Sequence, residues 1–249
     1  MDDPHFIAYE LLEKAENAKS DNQARKYAKE AYKLCPACFD AVILLASLED
    51  DPEKMLKILN DGLKVEKERL IEEKYFEKEN IGYFYGIFET RPYIRGLCTK
   101  AQTLVMMGRM RQAKIVCEEI LKLNENDNLG SRYLLFAILA YLEEEKELLK
   151  LYKKYHEESF MVLFPVFALN YKLGNEKKAK EYFDRLNKAN SNFVKFINGT
   201  LKPGKNITEG YYSHGDSSEI LMYVNEYTFL LISMPLLESY VKINTKKTN

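Results

Sequence analysis

Leu104-Val-Met-Met-Gly108-Arg-Met-Arg-Gln-Ala113 is answered by Asn170-Tyr-Lys-Leu-Gly174-Asn-Glu-Lys-Lys-Ala179, 66 residues further on. The correspondence continues beyond the alanines, pairing Cys117 with Phe183, Ile120 with Leu186 and Asn124 with Asn190. The offset is about twice the roughly 34-residue period of a helix-turn-helix repeat, which leaves room for one degenerate unit between the two clear ones. This pattern decides an architecture and leaves the activity open.

Working outward, the N-terminal unit carries Ala8, Leu11, Leu12 and Ala15, then Ala24, Ala28, Ala31 and Pro36. Alanines at these steps let the second helix of a pair approach the first closely, and the proline closes it. A short helix is expected at about 39–48. Asp51-Pro52-Glu53 supplies an N-cap, a proline at the first helical position and an acid in the first turn of a long charged helix reaching about residue 80. The segment from Ile81 to Arg95 breaks the rhythm with aromatics, two glycines and a proline. Repeats are then expected at about 93–124, 128–155 (degenerate) and 160–190. A short helix near 192–198 leads to a turn-rich link, Lys202-Pro-Gly-Lys-Asn206, and Asp216 with Glu219 opens a last helix pair in the manner of a capping box. No strand-like alternation competes with the helical stripes. The expectation is all-α: one continuous right-handed α-solenoid over residues 1–243, with a flexible tail at 244–249.

Composition narrows the classes of function. The 249 residues carry a formal charge of −1 and are 46% hydrophobic, which argues against disorder and against a global field recruiting nucleic acid or an anionic membrane. The most apolar stretch, Tyr227 to Tyr240, includes Pro235 and Glu238 and is shorter than the about 20 residues a spanning helix needs. The acidic N-terminus lacks the layout of a secretory signal, and four cysteines without one suggest reduced thiols. A cytoplasmic location is therefore expected, where the sequons at Asn198 and Asn206 have no meaning.

Two stretches carry a family resemblance. Phe84-Tyr-Gly-Ile-Phe-Glu-Thr-Arg-Pro-Tyr-Ile-Arg95 and Leu123-Asn-Glu-Asn-Asp-Asn-Leu-Gly-Ser-Arg-Tyr133 resemble the signatures of a bacterial tetratricopeptide family. That family is also similar to the C-terminal part of the suppression-of-tumorigenicity-seven protein. Gly215-Asp-Ser-Ser-Glu-Ile220 resembles its last signature. The chain departs from the pattern in having Glu125 for a proline and no tryptophan at all. The resemblance implies a helical solenoid of tetratricopeptide-like pairs, without an established chemistry.

In such arrays the first helix of each pair lines a concave groove. Repeat register places Arg95, Gln102 and Arg132 near groove-facing positions, and an arginine there forks onto a carboxylate or phosphate. The expected partner site is Arg91, Tyr93, Arg95, Gln102, Asn128, Arg132 and Tyr133. The competing reading makes the arginines joints, with Arg91 on Glu89 or Asp127. Tyr83, Phe84, Tyr85, Phe88 and Tyr93 read as core or as the wall of a pocket.

Other motifs read as structural. Cys35-Pro-Ala-Cys38 lies at a helix end, where no dipole lowers the thiol pKa, and Cys98 and Cys117 do not complete a zinc site. Gly199 to Lys205 superficially fits a phosphate loop but continues with Asn206 and follows no strand. The lysines of 146–154 and 177–180 alternate with glutamates as on a solvated face. His5, His156 and His214 are scattered. No catalytic residue, metal or cofactor is expected, and neither a nucleic-acid nor a membrane partner. The favoured function is a non-catalytic scaffold holding a partner peptide or helix. The alternatives are a sensor or enzyme for a small anionic metabolite, with a pocket near residues 83–95, or a subunit that self-associates as a homodimer through its C-terminal helices.

Overall fold

The computed structural model describes residues 3–202 and 211–246. Among these the ordered elements are helical, with two isolated β-bridges joining Gly82 and Tyr83 to Asn124. The chain divides into two compact units, residues 1–132 and 133–249.

In the first unit, α1 (Pro4–Glu16) starts on Asp3, whose carboxylate accepts from the His5 amide, and has proline at its first position. It packs on α2 (Asp21–Leu34). Ala8, Leu12, Ala31, Cys38 and Ala41 form a shared core with α3 (Asp40–Ser47). The closeness the alanine spacing predicts is thus present: Ala24, Ala28 and Ala31 are all buried.

Helix α4 (Pro52–Glu72) is capped by Asp51 as the sequence suggests, but it stops well before residue 80. The cause is Lys74, whose left-handed φ of 64° lets the Tyr75 amide close back on the Leu70 carbonyl. α5 (Arg91–Met106) and α6 (Met110–Leu123) complete the unit, with α5 packed against α3, α4 and α6. Phe39, 1% exposed, sits where α3, α4 and α5 converge. Its ring lies so near Gly62 and Gly96 that a β-carbon would come within 3.0 Å and 2.4 Å of it respectively. These two glycines are present for proximity, not for backbone freedom.

The second unit takes in most of α7 (Ser131–Tyr141), then α8 (Glu145–Tyr155), α9 (Phe160–Lys172), α10 (Glu176–Ala189) and α11 (Asn192–Ile197). α9 is apolar on every side and buried from Phe160 to Asn170, packing on α8, α10 and α12. Phe160, Phe164, Phe193 and Tyr223 form an aromatic cluster with ring centroids 5.1–5.4 Å apart. The C-terminal apolar stretch is not one helix. α12 (Ser217–Ile232) and α13 (Leu237–Lys246) meet at a bend of 108°, and among the described residues no single helix is long and apolar enough to cross a membrane. The loop suspected of phosphate binding and the turn-rich link fall partly, from Pro203 to Asn206, outside the described residues, as does the end of the tail.

The 66-residue sequence repeat is carried into local structure. α6 and α10 begin at Met110 and Glu176 and end at Leu123 and Ala189, keeping the 66-residue offset at both ends. Gly108 and Gly174 share a φ of 70°, and Ala113, Ala179, Cys117, Phe183, Ile120 and Leu186 are buried. The closing asparagines, Asn124 and Asn190, are each 1% exposed, and each amide caps its helix at 2.8 Å.

Both asparagines also mark where irregular chain is fastened. Beside Asn124, the Gly82 amide donates to the Leu123 carbonyl (3.1 Å) and the Glu125 amide to the Gly82 carbonyl (2.8 Å). At Asn190 the side chain does this work: its Nδ2 donates to the Asp216 carbonyl and to Glu219 Oε2, each at 2.8 Å. Glu219, 1% exposed, also accepts from the Gly215 amide (2.9 Å) and faces His214 Nδ1 at 3.1 Å. Asp216 caps α12 by accepting from the Ser218 amide, whereas Glu219 reaches back to the Gly215 amide and the Asp216 amide donates to the Ser213 carbonyl, so the expected capping box gives way to a cap displaced by one residue.

Candidate partner-binding site

Arg91 and Arg95 lie one turn apart on α5, and each guanidinium is engaged within its unit. Arg91 Nε donates to the Tyr85 carbonyl (2.7 Å), and its plane lies over the Tyr85 and Phe88 rings at 5.4 and 5.9 Å. It therefore pins the irregular segment, although through neither Glu89 nor Asp127. Buried Thr90 helps by donating to the Phe84 and Ile87 carbonyls. Arg95 forks onto Asp40, Nε to Oδ1 at 2.8 Å and Nη2 to Oδ2 at 2.5 Å.

Tyr93 points into the core, 2% exposed, with its ring edge-on to Phe76 at 5.9 Å. Burial, and then the neighbouring Glu119 carboxylate, push its phenol well above the ordinary tyrosine range. Of its aromatic neighbours Phe84 is fully buried, while Tyr83 and Phe88 are exposed. Gln102 and Asn128 are exposed. Arg132 Nη1 meets Asp127 Oδ2 at 3.1 Å, and the same carboxylate accepts from the Ser131 and Arg132 amides at 2.7 and 2.9 Å. Burial nevertheless raises the Asp127 carboxyl above its ordinary pKa. Tyr133, in the second unit, donates to Glu157 at 2.9 Å.

The first unit also holds an open cleft of about 710 Å³, bounded by α1, α3 and Arg95. From α1 come Phe6, Tyr9, Glu10, Glu13 and Glu16; from α3 come Asp40, Ile43 and Leu44. Phe6 is 63% exposed, and Ile43 and Leu44 are half-buried. Tyr9 reaches Asp40 Oδ2 at 3.5 Å, and burial followed by that carboxylate lifts its phenol to about 12. Of the expected site residues only Arg95 borders this cleft. The inward stripe of Ala8, Leu11, Leu12 and Ala15 dominates the periodicity of α1 and masks this second face. The readable signal was a phenylalanine followed by glutamates at steps of four, three and three residues on the opposite face.

A second cavity, about 980 Å³, lies in the other unit between the α9–α10 turn and the α12–α13 bend, where Tyr171, Lys172, Pro235 and Tyr240 are among its lining. Lys172 Nζ is held by the Ala140 and Tyr141 carbonyls at 3.3 and 2.6 Å.

The class these features define is an all-helical protein whose helices pack on their neighbours in sequence, with an open, partly apolar cleft along its first helices. Comparison of the chain with protein-family models, with curated proteins and with solved structures gives no match.

Proposed function

We propose that this protein is a non-catalytic interaction scaffold, a right-handed solenoid of tetratricopeptide-like helix pairs that holds a segment of a partner protein against its first helices. The observation that carries this reading is the cleft between α1 and α3, where exposed Phe6 and half-buried Ile43 and Leu44 lie beside polar side chains. An open trough of this kind suits an extended or helical segment better than a small molecule, which is held in an enclosed site. The test is site-specific photo-crosslinking in lysate of the source cells, with the crosslinker at Ser47 in the cleft or at exposed Lys29 on α2. A protein captured from Ser47 and absent from Lys29 supports the reading; equal capture from both, or none, overturns it.

Self-association is the second reading, favoured by one observation. Ile232, Leu236 and Ile243 are 73%, 67% and 57% exposed on the C-terminal helix pair. Sedimentation velocity across a concentration series decides it: a dimer abolished by Leu236→Lys supports this face as the contact, and a monomer throughout removes it.

A further inference from the structure

We infer that the segment held between α1 and α3 is a basic amphipathic one, with apolar residues inward and lysines or arginines along one flank; this rests on the scaffold reading above. Arg95 is not available to anchor an acidic partner, because its forked contact to Asp40 already occupies the carboxylate-binding edge of the guanidinium. Asp40 is likewise taken. The charges of the cleft that remain uncompensated are Glu10, Glu13 and Glu16, all exposed and, among the described residues, in no ion pair or side-chain hydrogen bond.

Their placement is unfavourable within the chain itself. Like charges three residues apart on a helix repel one another. Glu13 and Glu16 also occupy the last turn of α1, where the negative end of the helix dipole disfavours carboxylates. Lys14 is the one basic residue in that turn. Cations arriving from outside relieve both effects, while Phe6, Ile43 and Leu44 offer apolar contact beside them. Charge complementarity thus selects a basic occupant, and the apolar strip selects an amphipathic one.

The full chain is titrated against three fluorescent 14-residue amphipathic peptides, identical on a leucine face and carrying lysine, glutamine or glutamate on the other. Anisotropy is read at 50 and 200 mM salt, with amide and methyl NMR shifts of Phe6, Ile43 and Leu44 locating the contact. The lysine peptide is expected to bind there, to weaken about tenfold at the higher salt, and to weaken similarly in Glu10→Gln, Glu13→Gln, Glu16→Gln protein. Glutamine is as good a helix former as glutamate, so circular dichroism of that variant should be unchanged. If the glutamine or glutamate peptide binds the same residues equally well, or the triple variant keeps full affinity, the basic assignment falls and the scaffold reading survives. If no peptide shifts these residues, the basic assignment falls, and an accompanying lack of selective crosslinking at Ser47 takes the scaffold reading with it.

Discussion

Arg95 and Asp40, 55 residues apart in sequence, meet through two parallel hydrogen bonds that join α5 to α3, and Tyr9 brings α1 to the same carboxylate. One acidic side chain thereby gathers the helices that open three successive pairs. Neither partner is deeply buried, with 36% and 21% of the side chains exposed, so solvent screening limits what the contact is worth.

Arg95→Ala should therefore lower the unfolding free energy by about 1–2 kcal/mol, the range of a forked charged contact that solvent partly reaches. Asp40→Arg combined with Arg95→Asp should recover part of the loss. Urea unfolding of the two single variants and the double would show the coupling. Strict additivity would mean that the pair does not join α3 to α5.

Phe39 gives a steeper dependence. Gly96→Ala should cost about 1–3 kcal/mol by overpacking, since the added methyl has no room beside the ring. Adding Phe39→Leu should relieve much of that cost while introducing its own smaller one. A stable Gly96→Ala protein with an unshifted urea midpoint would contradict the packing described.

The thiols should be sluggish. Burial raises Cys98 to about 11 and Cys38 to about 12, so at pH 8 the thiolate fractions are only about 1 in 10³ and 1 in 10⁴. Cys117 is shifted the same way. A chromogenic disulfide reagent at pH 8 should titrate at most Cys35 quickly and all four cysteines only after denaturation. The rate at Cys98 should climb about tenfold per pH unit up to its pKa. Rapid native labelling of Cys38 would show that the 35–38 turn is open.

Asn190→Ala should unfasten the 213–216 turn without unfolding the second unit. It removes three side-chain hydrogen bonds, two donated by Nδ2 and one accepted by Oδ1 from the Asn192 amide, and leaves the Glu219 carboxylate buried with fewer donors, at a cost of about 2–3 kcal/mol. Hydrogen exchange should speed at Gly215 and Ser218, while the α9 core stays protected. Uniform acceleration across the unit would mean that the asparagine supports the whole packing.

What could be read from the chain beforehand was local and periodic. Alanine spacing located α1 and α2, Asp51-Pro52 located the start of α4, and the 66-residue echo placed α6 and α10 in register. The end of α4 escaped because it depends on a lysine adopting a left-handed φ, which nothing in residue identity announces. The break in the C-terminal stretch is marked by Pro235, which lies between α12 and α13. The site was less legible for a different reason. Repeat register points to Arg95, but its guanidinium is occupied by Asp40, and a pairing over that separation has no sequence periodicity to reveal it. Arg132 and Asp127, five residues apart within one signature, were within reach of local reasoning.

The two equivalent asparagines bear on how such a chain lengthens. Each closes its repeat with the same backbone cap and then offers the adjoining groups to non-repetitive sequence, in one case coming from upstream and in the other from downstream. A repeat end built this way behaves as a socket. The irregular segments are fastened by groups at the repeat end itself, Leu123 and Glu125 in one case and Asn190 in the other, so the seams of the molecule carry what its repeats do not.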